Sequence, residues 1–177
     1  TWKSRGLGDV YKRQILNGTC NYILSQMEKT KDSFKNVLKN AQKLGYAEPG
    51  NPKLDLNGYD ALAKVKILSA LAFNCKISKS QSLMEGIEKI EATDFDIVEK
   101  LNLRIKLLGI TEIINNKIFE RVHPCLVSRD SYIGNVTDVM NAVILEGKPV
   151  GESVMQGEGA GPGPVSYTHL RAHETSR

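Results

Sequence analysis

The sequence predicts an α+β fold, with helices packed on a β-sheet. Through the first half, to about Lys100, apolar residues recur at helical spacing. The second half is apolar and β-branched, broken by short turn signals. Helices precede strands instead of alternating with them, which argues against a repeating βαβ array. No internal repeat or low-complexity stretch interrupts this order.

Thr19 to about Lys29 reads as a first helix, with Thr19 as its N-cap and Tyr22, Ile23 and Met27 on one side. Ser33 caps a second helix through Leu44, whose apolar stripe is Phe34, Val37, Leu38, Ala41 and Leu44; Gly45 stops it. Tyr46–Gly58 is a loop, held out of helix by Pro49, Gly50 and Pro52. Asn57 or Gly58 opens a third helix to about Phe73, with Ala61, Leu62, Val65, Leu68 and Ala72 facing inward. A strand is expected near Gly86–Ile90. A fourth helix starts at Thr93, with Asp96 completing a capping-box-like pattern. Arg104–Ile114 and Lys117–Val127 read as a hairpin across Asn115-Asn116. Val139–Leu145 and Val150–Met155 form a second strand pair across Glu146–Pro149.

Chemistry concentrates in Glu48–Lys64, EPGNPKLDLNGYDALAK. Three carboxylates (Glu48, Asp55, Asp60) and one lysine (Lys64) share this loop and helix start. Asp60 and Lys64 are four residues apart, so they share a helical face. Carboxylates suit an ammonium group, and a lysine can hold a carboxylate or move a proton. On spacing alone the segment reads first as a solvated helix start with one weak exposed ion pair.

Further blocks lie in order around it: ILNGTCNYILSQME (Ile15–Glu28), AQKLGYAEP (Ala41–Pro49), DLNGYDALAKVKIL (Asp55–Leu68), EGI (Glu85–Ile87), IKLLG (Ile105–Gly109), NAV (Asn141–Val143) and GEGAGPGP (Gly157–Pro164). Together they resemble the substrate-binding and catalytic domain of homoserine dehydrogenases, over Ile15–Pro164. The spacing from Glu48 to Asp55 is one residue longer than that family's usual spacing, whereas Asp55–Asp60–Lys64 keeps it.

Outside that stretch the resemblance stops. Thr1–Gln14 and Val165–Arg177 resemble translated adapter or vector sequence. They are expected to be non-native flanks, residues 1–14 and 165–177, that pack poorly on a domain spanning residues 15–164. The whole chain is +4, with 24 Lys/Arg and 20 Asp/Glu, but the flanks carry all of that excess and leave residues 15–164 neutral. The charge therefore argues for neither nucleic-acid nor membrane binding. No apolar run is long enough to span a bilayer, and no signal peptide is evident. Cys20, Cys75 and Cys125 are odd in number and widely spaced, which fits free thiols in a cytoplasmic protein better than a disulfide framework or a zinc site.

The resemblance implies reversible NAD(P)-dependent oxidation of L-homoserine to L-aspartate 4-semialdehyde, in threonine, methionine and isoleucine biosynthesis, by a homodimer. Lys64 is implied as the proton-transfer group and Asp60 as its catalytic partner. Glu48 and Asp55 are implied to hold substrate, with Gly18 and Thr19 presenting backbone N–H groups to an anionic group. Gly161, in the glycine-rich loop, is implied to lie against NADP or NAD. No metal ligand is implied in this segment, although the family carries a sodium site elsewhere. The dinucleotide-binding Rossmann half precedes Ile15 in such enzymes and has no counterpart here, so this polypeptide alone is expected to be inactive. From the residues alone, Gly157–Gly163 reads as a flexible loop and the NGT turn as a plain N-cap. A non-catalytic amino-acid-binding or dimerisation module is the other function class; dinucleotide-dependent turnover by the completed chain discriminates between the two.

Overall fold

The computed structural model describes residues 11–79, 81–115, 117–147, 149 and 151–159. Among these residues six strands form one sheet in the order β2-β4-β3-β1-β5-β6. Its spine is the hairpin of β3 (Leu103–Ile114) and β4 (Lys117–Ser128), paired antiparallel along its whole length. Asn115 turns the chain with φ 50°, a left-handed conformation that Asn tolerates well. β5 (Met140–Gly147) and β6 (Gly151–Glu158) form the second hairpin. Both hairpins match the sequence expectation to within a few residues.

The sheet departs from the expected boundary at Ile15. Tyr11–Gln14 belong to β1 (Tyr11–Ile15), which lies centrally, antiparallel to β3 on one side and β5 on the other. Gln14 and Lys12 point to the helix-bearing face and are buried. Lys12 lays its ammonium over the Phe73 ring at 4.5 Å, and burial lowers its pKa. Both polar atoms of the Gln14 amide are buried without a partner among the described residues. A segment with no apolar alternation thus joins the two hairpins, because the open backbone edges of β3 and β5 recruit it.

Among the described residues four helices and a helical turn cover one face. α1 (Gly18–Thr30) is capped by Asn17, not Thr19: Asn17 Oδ1 accepts from the Cys20 N–H at 2.8 Å. The Thr19 hydroxyl instead donates to the Tyr46 carbonyl at 2.6 Å. α2 (Phe34–Lys43) starts at Ser33 as expected, and Gly45 (φ 77°) follows its end. Within the expected loop, Pro52 opens a single helical turn, α3 (Lys53–Leu56). Proline blocks a helix interior but not its start, so it does not keep this stretch out of helix. α4 (Tyr59–Ala72) begins after Gly58, whose φ of 85° makes the sharp entry. Ala61, Val65 and Ser69 are its buried positions; Ala72, expected inside, is exposed at the frayed end. α5 (Ala92–Lys100) is capped by Glu91, two residues before the expected Thr93, with Asp94 reaching back to the Glu91 N–H at 2.8 Å. The expected strand at Gly86–Ile90 is instead turn and bend, and the edge strand β2 is Leu83–Met84, parallel to β4.

The main core lies between helices and sheet: Ile23, Leu24 and Met27 of α1, Val65 of α4 and Phe95 of α5 pack on Ile105, Leu107 and Val122. Gly109 lets α4 sit close, since a Cβ there would overlap Val65. On the opposite face a smaller cluster, Ile15, Leu108, Ile110, Ala142 and Ile144, is covered by Ile133 and Val136 from the connection to β5. Lys106 is buried beside it and donates to Val136 O at 2.6 Å and Asn21 Oδ1 at 3.2 Å. Burial lowers its pKa to about 8.

Candidate active site

The end of β1, the start of α1, the α3 turn and the first turns of α4 converge on one place. Lys64 Nζ donates to Asp60 Oδ2 at 2.7 Å and to the Leu16 carbonyl at 3.2 Å. The same Asp60 oxygen accepts from Asn17 Nδ2 at 3.0 Å, and Asn17 Nδ2 also donates to Asp55 Oδ1 at 2.7 Å. A chain of polar contacts therefore runs Lys64–Asp60–Asn17–Asp55. Spacing brings Asp60 to Lys64. It is Asn17 that ties in the loop aspartate, while capping α1 with its other amide atom.

The electrostatics follow from this packing. Burial raises the pKa of Asp55. The Asn17 hydrogen bond opposes the rise, Asp60 adds to it, Lys64 opposes it, and Glu48 adds a smaller share. The Cys20 thiol, donating to the Asp55 carbonyl at 3.2 Å, is likewise pushed upward, first by burial and then by the two aspartates. An ammonium carries three N–H groups. Two of Lys64's are engaged among the described residues, and its side chain remains about half exposed, at 47%.

Glu48 sits on the exposed rim. Its backbone carbonyl is held by Gln42 Nε2 at 3.0 Å, and its carboxylate makes no hydrogen bond or ion pair among the described residues. Gly18 and Thr19 form the buried first turn of α1, where N–H groups lack intrahelical partners. Gly161 lies outside the described residues. Just before it, Gly159 donates to the Val139 carbonyl at 2.9 Å, and a Cβ there would overlap the Asn141 carboxamide. Asn141 Oδ1 is buried with no partner among the described residues.

Asn17 is the residue that sequence reasoning missed. Asn ranks with Asp and Ser among the best N-caps and directly precedes the Gly-Thr pair, so the signal was present. Two open clefts lie apart from this cluster. One, about 450 Å³, is lined by Glu28, Glu99, Arg104 and Arg129. The other, about 620 Å³, is lined by Tyr59, Leu62, Lys66 and Leu83. Neither contains Asp55, Asp60 or Lys64. No group of acidic, His or Cys residues among those described could hold a metal ion, and no described helix is long and apolar enough to cross a membrane.

The family model for homoserine dehydrogenase matches residues 12–170. The chain belongs to the homoserine dehydrogenase family. The match reaches past residues 15–164 at both ends. Among curated relatives, homoserine dehydrogenase of Helicobacter pylori is 46% identical over 152 residues, 86% of this chain. That of Neisseria gonorrhoeae is 45% identical over the same length. The fold agrees with the crystal structure of a homoserine dehydrogenase from Thiobacillus denitrificans, with a TM-score of 0.83 and 43% identity over 88% of this chain. The chain spans only 36% and 35% of the two curated relatives, and 36% of that crystallised family member.

Proposed function

We propose that this chain supplies the substrate-binding and proton-transfer half of a homoserine dehydrogenase, which interconverts L-homoserine and L-aspartate 4-semialdehyde in amino-acid biosynthesis. The observation that carries the reading is the Lys64–Asp60–Asn17–Asp55 chain: a lysine with a proton to give, beside carboxylates suited to an α-ammonium. The Lys64 ammonium donates a proton to the carbonyl oxygen in the reductive direction, and the neutral amine takes the hydroxyl proton in the oxidative one. Asp60 fixes the ammonium one helical turn away and balances its charge. Asp55 and Glu48 hold the substrate ammonium, Asp55 from inside and Glu48 from the rim. The first-turn N–H groups at Gly18 and Thr19 face an anionic group such as the substrate carboxylate.

NAD or NADP, when bound, accepts or supplies the hydride. The described residues fit one edge of such a group, where the missing Cβ of Gly159 leaves room for the Asn141 carboxamide, whose Oδ1 is an acceptor unused among the described residues. They contain no glycine-rich strand–turn–helix unit, so the dinucleotide is assigned mainly to a domain outside them. A sodium site, if the enzyme has one, belongs there too. The free thiols, Cys75 exposed among them, support a cytoplasmic location.

The reading includes a homodimer. Every residue of edge strand β6 is exposed, with Val154 and Met155 among them. Sedimentation should give a dimer at tens of micromolar, on the order of concentrations where a modest interface registers; a monomer there contradicts it.

The direct test is a full-length enzyme containing this segment, assayed with L-homoserine and NADP. Turnover is expected. Amino-acid binding without dinucleotide-dependent turnover would instead establish the non-catalytic module.

A further inference from the structure

The NAV block, Asn141–Val143, takes no part in the proton transfer or substrate binding above, yet its first residue holds an unusual position. Asn141 Oδ1 is a buried acceptor with no partner among the described residues. Leaving such a group unpaired is costly, and native proteins rarely do so without a reason. The rest of the carboxamide is tightly placed. It lies flush against Gly159, where a Cβ would run into its Cγ, Nδ2 and Oδ1 alike. Gly159 cannot retreat, because its N–H is bonded to the Val139 carbonyl and Gly157 pairs with Asn141 across the β5–β6 ladder. The plane of the amide is therefore set by the backbone of a glycine.

The sheet register gives its place relative to the lysine. Ile15 pairs with Ala142, so Asn141 stands beside the next residue of the β1 end, Leu16, and on the helix-bearing face. The Leu16 carbonyl is the one that holds Lys64 Nζ. Neighbouring strands are roughly 4.8 Å apart. Asn141 thus lies between the strand end whose carbonyl holds Lys64 and the backbone of Gly159.

We propose that Asn141 is a cofactor-contacting residue of the dehydrogenase reaction, its Oδ1 accepting an N–H of the nicotinamide carboxamide. This rests on the dehydrogenase reading above. Hydride transfer requires the nicotinamide ring within van der Waals reach of the carbon whose oxygen Lys64 serves. The ring's carboxamide carries two N–H donors, and a neutral acceptor matches a neutral donor. The substrate ammonium already has Asp55 and Glu48 in reach. Gly159 acts as a positioning residue, since its missing side chain leaves the Asn141 amide room to take that orientation.

The test uses the full-length enzyme and reads binding as well as turnover. The dissociation constant for NADPH is measured by its fluorescence, and that for 2′,5′-ADP, which lacks the nicotinamide, by calorimetry. Asn141→Ala should weaken NADPH by about three- to tenfold, one hydrogen bond's worth, and leave 2′,5′-ADP and the KM for homoserine unchanged. Gly159→Ala removes no side chain and should produce the same nicotinamide-selective loss by displacing the amide. In the double variant the two losses should not add. Unchanged NADPH binding in Asn141→Ala, equal weakening of both nucleotides, or a shift confined to the homoserine KM would each overturn the proposal. A wild-type enzyme that binds dinucleotide while Asn141 proves indifferent defeats this inference alone. A wild-type enzyme that binds none defeats the dehydrogenase reading with it.

Discussion

Lys64 Nζ lies 2.7 Å from Asp60 Oδ2, one turn further along α4, and that oxygen also takes the Asn17 side-chain amide at 3.0 Å. An isolated i,i+4 pair on an exposed helix is worth little. Here the pair is extended into a chain that reaches the half-buried Asp55 of the α3 turn, which distinguishes it from a surface ion pair.

Asn17 does two jobs that substitution can separate. Serine caps helices about as well as asparagine but has no amide with which to reach Asp55 and Asp60. In the full-length enzyme, Asn17→Ser keeps the cap but loses both bonds to the aspartates, so the melting temperature should fall modestly while kcat/KM for homoserine falls roughly tenfold, the cost of losing hydrogen bonds to charged groups. A lower melting temperature with unchanged kcat/KM would show that the Asn17 amide is only structural.

Asp55 should show opposite effects on stability and function. Burial, more than its neighbours, lifts its pKa above the ordinary 3.8. A raised carboxyl favours the protonated folded state. Its stabilising contribution is full below the unfolded value and is lost as pH climbs through the higher folded value. Asp55→Asn removes that loss and can still accept the Asn17 hydrogen bond. Urea titrations from pH 3 to 7 should show the variant gaining on the parent as pH rises, while in the full-length enzyme its KM for homoserine increases. A constant difference across that range would mean that Asp55 is not held in the way its surroundings imply.

Strand β1 offers a stability test. The Gln14 amide is buried with neither polar atom paired among the described residues, in a central strand facing the helices. Gln14→Val replaces it with a β-branched side chain suited to a strand and should raise unfolding free energy by about 1–3 kcal/mol. Deleting residues 1–14 should lower it, because the link between β3 and β5 goes. An unchanged urea midpoint on deletion would return these residues to the status of a passive flank.

Much of this fold is legible in the sequence where local signals agree. The β3–β4 hairpin has two β-branched runs across an Asn-Asn turn, and α2 has Ser33 before it and Gly45 after it. β1 is not legible, because Tyr-Lys-Arg-Gln carries no strand pattern; its place is set by neighbours nearly a hundred residues or more away. The site divides in the same way. Asp60 and Lys64 follow from helical spacing, whereas the link from Asn17 to Asp55 spans 38 residues and exists only once α1 and α3 are packed. Glu48, named from the same segment, stays on the rim with its carboxylate unengaged among the described residues.

The role of Lys64 is tested most directly by comparing it with Lys66, two residues further along α4. At 3.6 residues per turn the two point about 200° apart. Lys66 donates to the Ser78 carbonyl at 3.1 Å and lines the cleft beside Leu83, away from Asp60. In the full-length enzyme, kcat for homoserine oxidation is measured for Lys64→Ala and Lys66→Ala, alongside NADPH binding. Lys64→Ala should lose at least about a hundredfold in kcat, the low end of acid–base contributions, with NADPH binding nearly unchanged, and Lys66→Ala should be close to silent. A silent Lys64→Ala with an impaired Lys66→Ala would contradict both the helical phase and the assignment of the proton-transfer group.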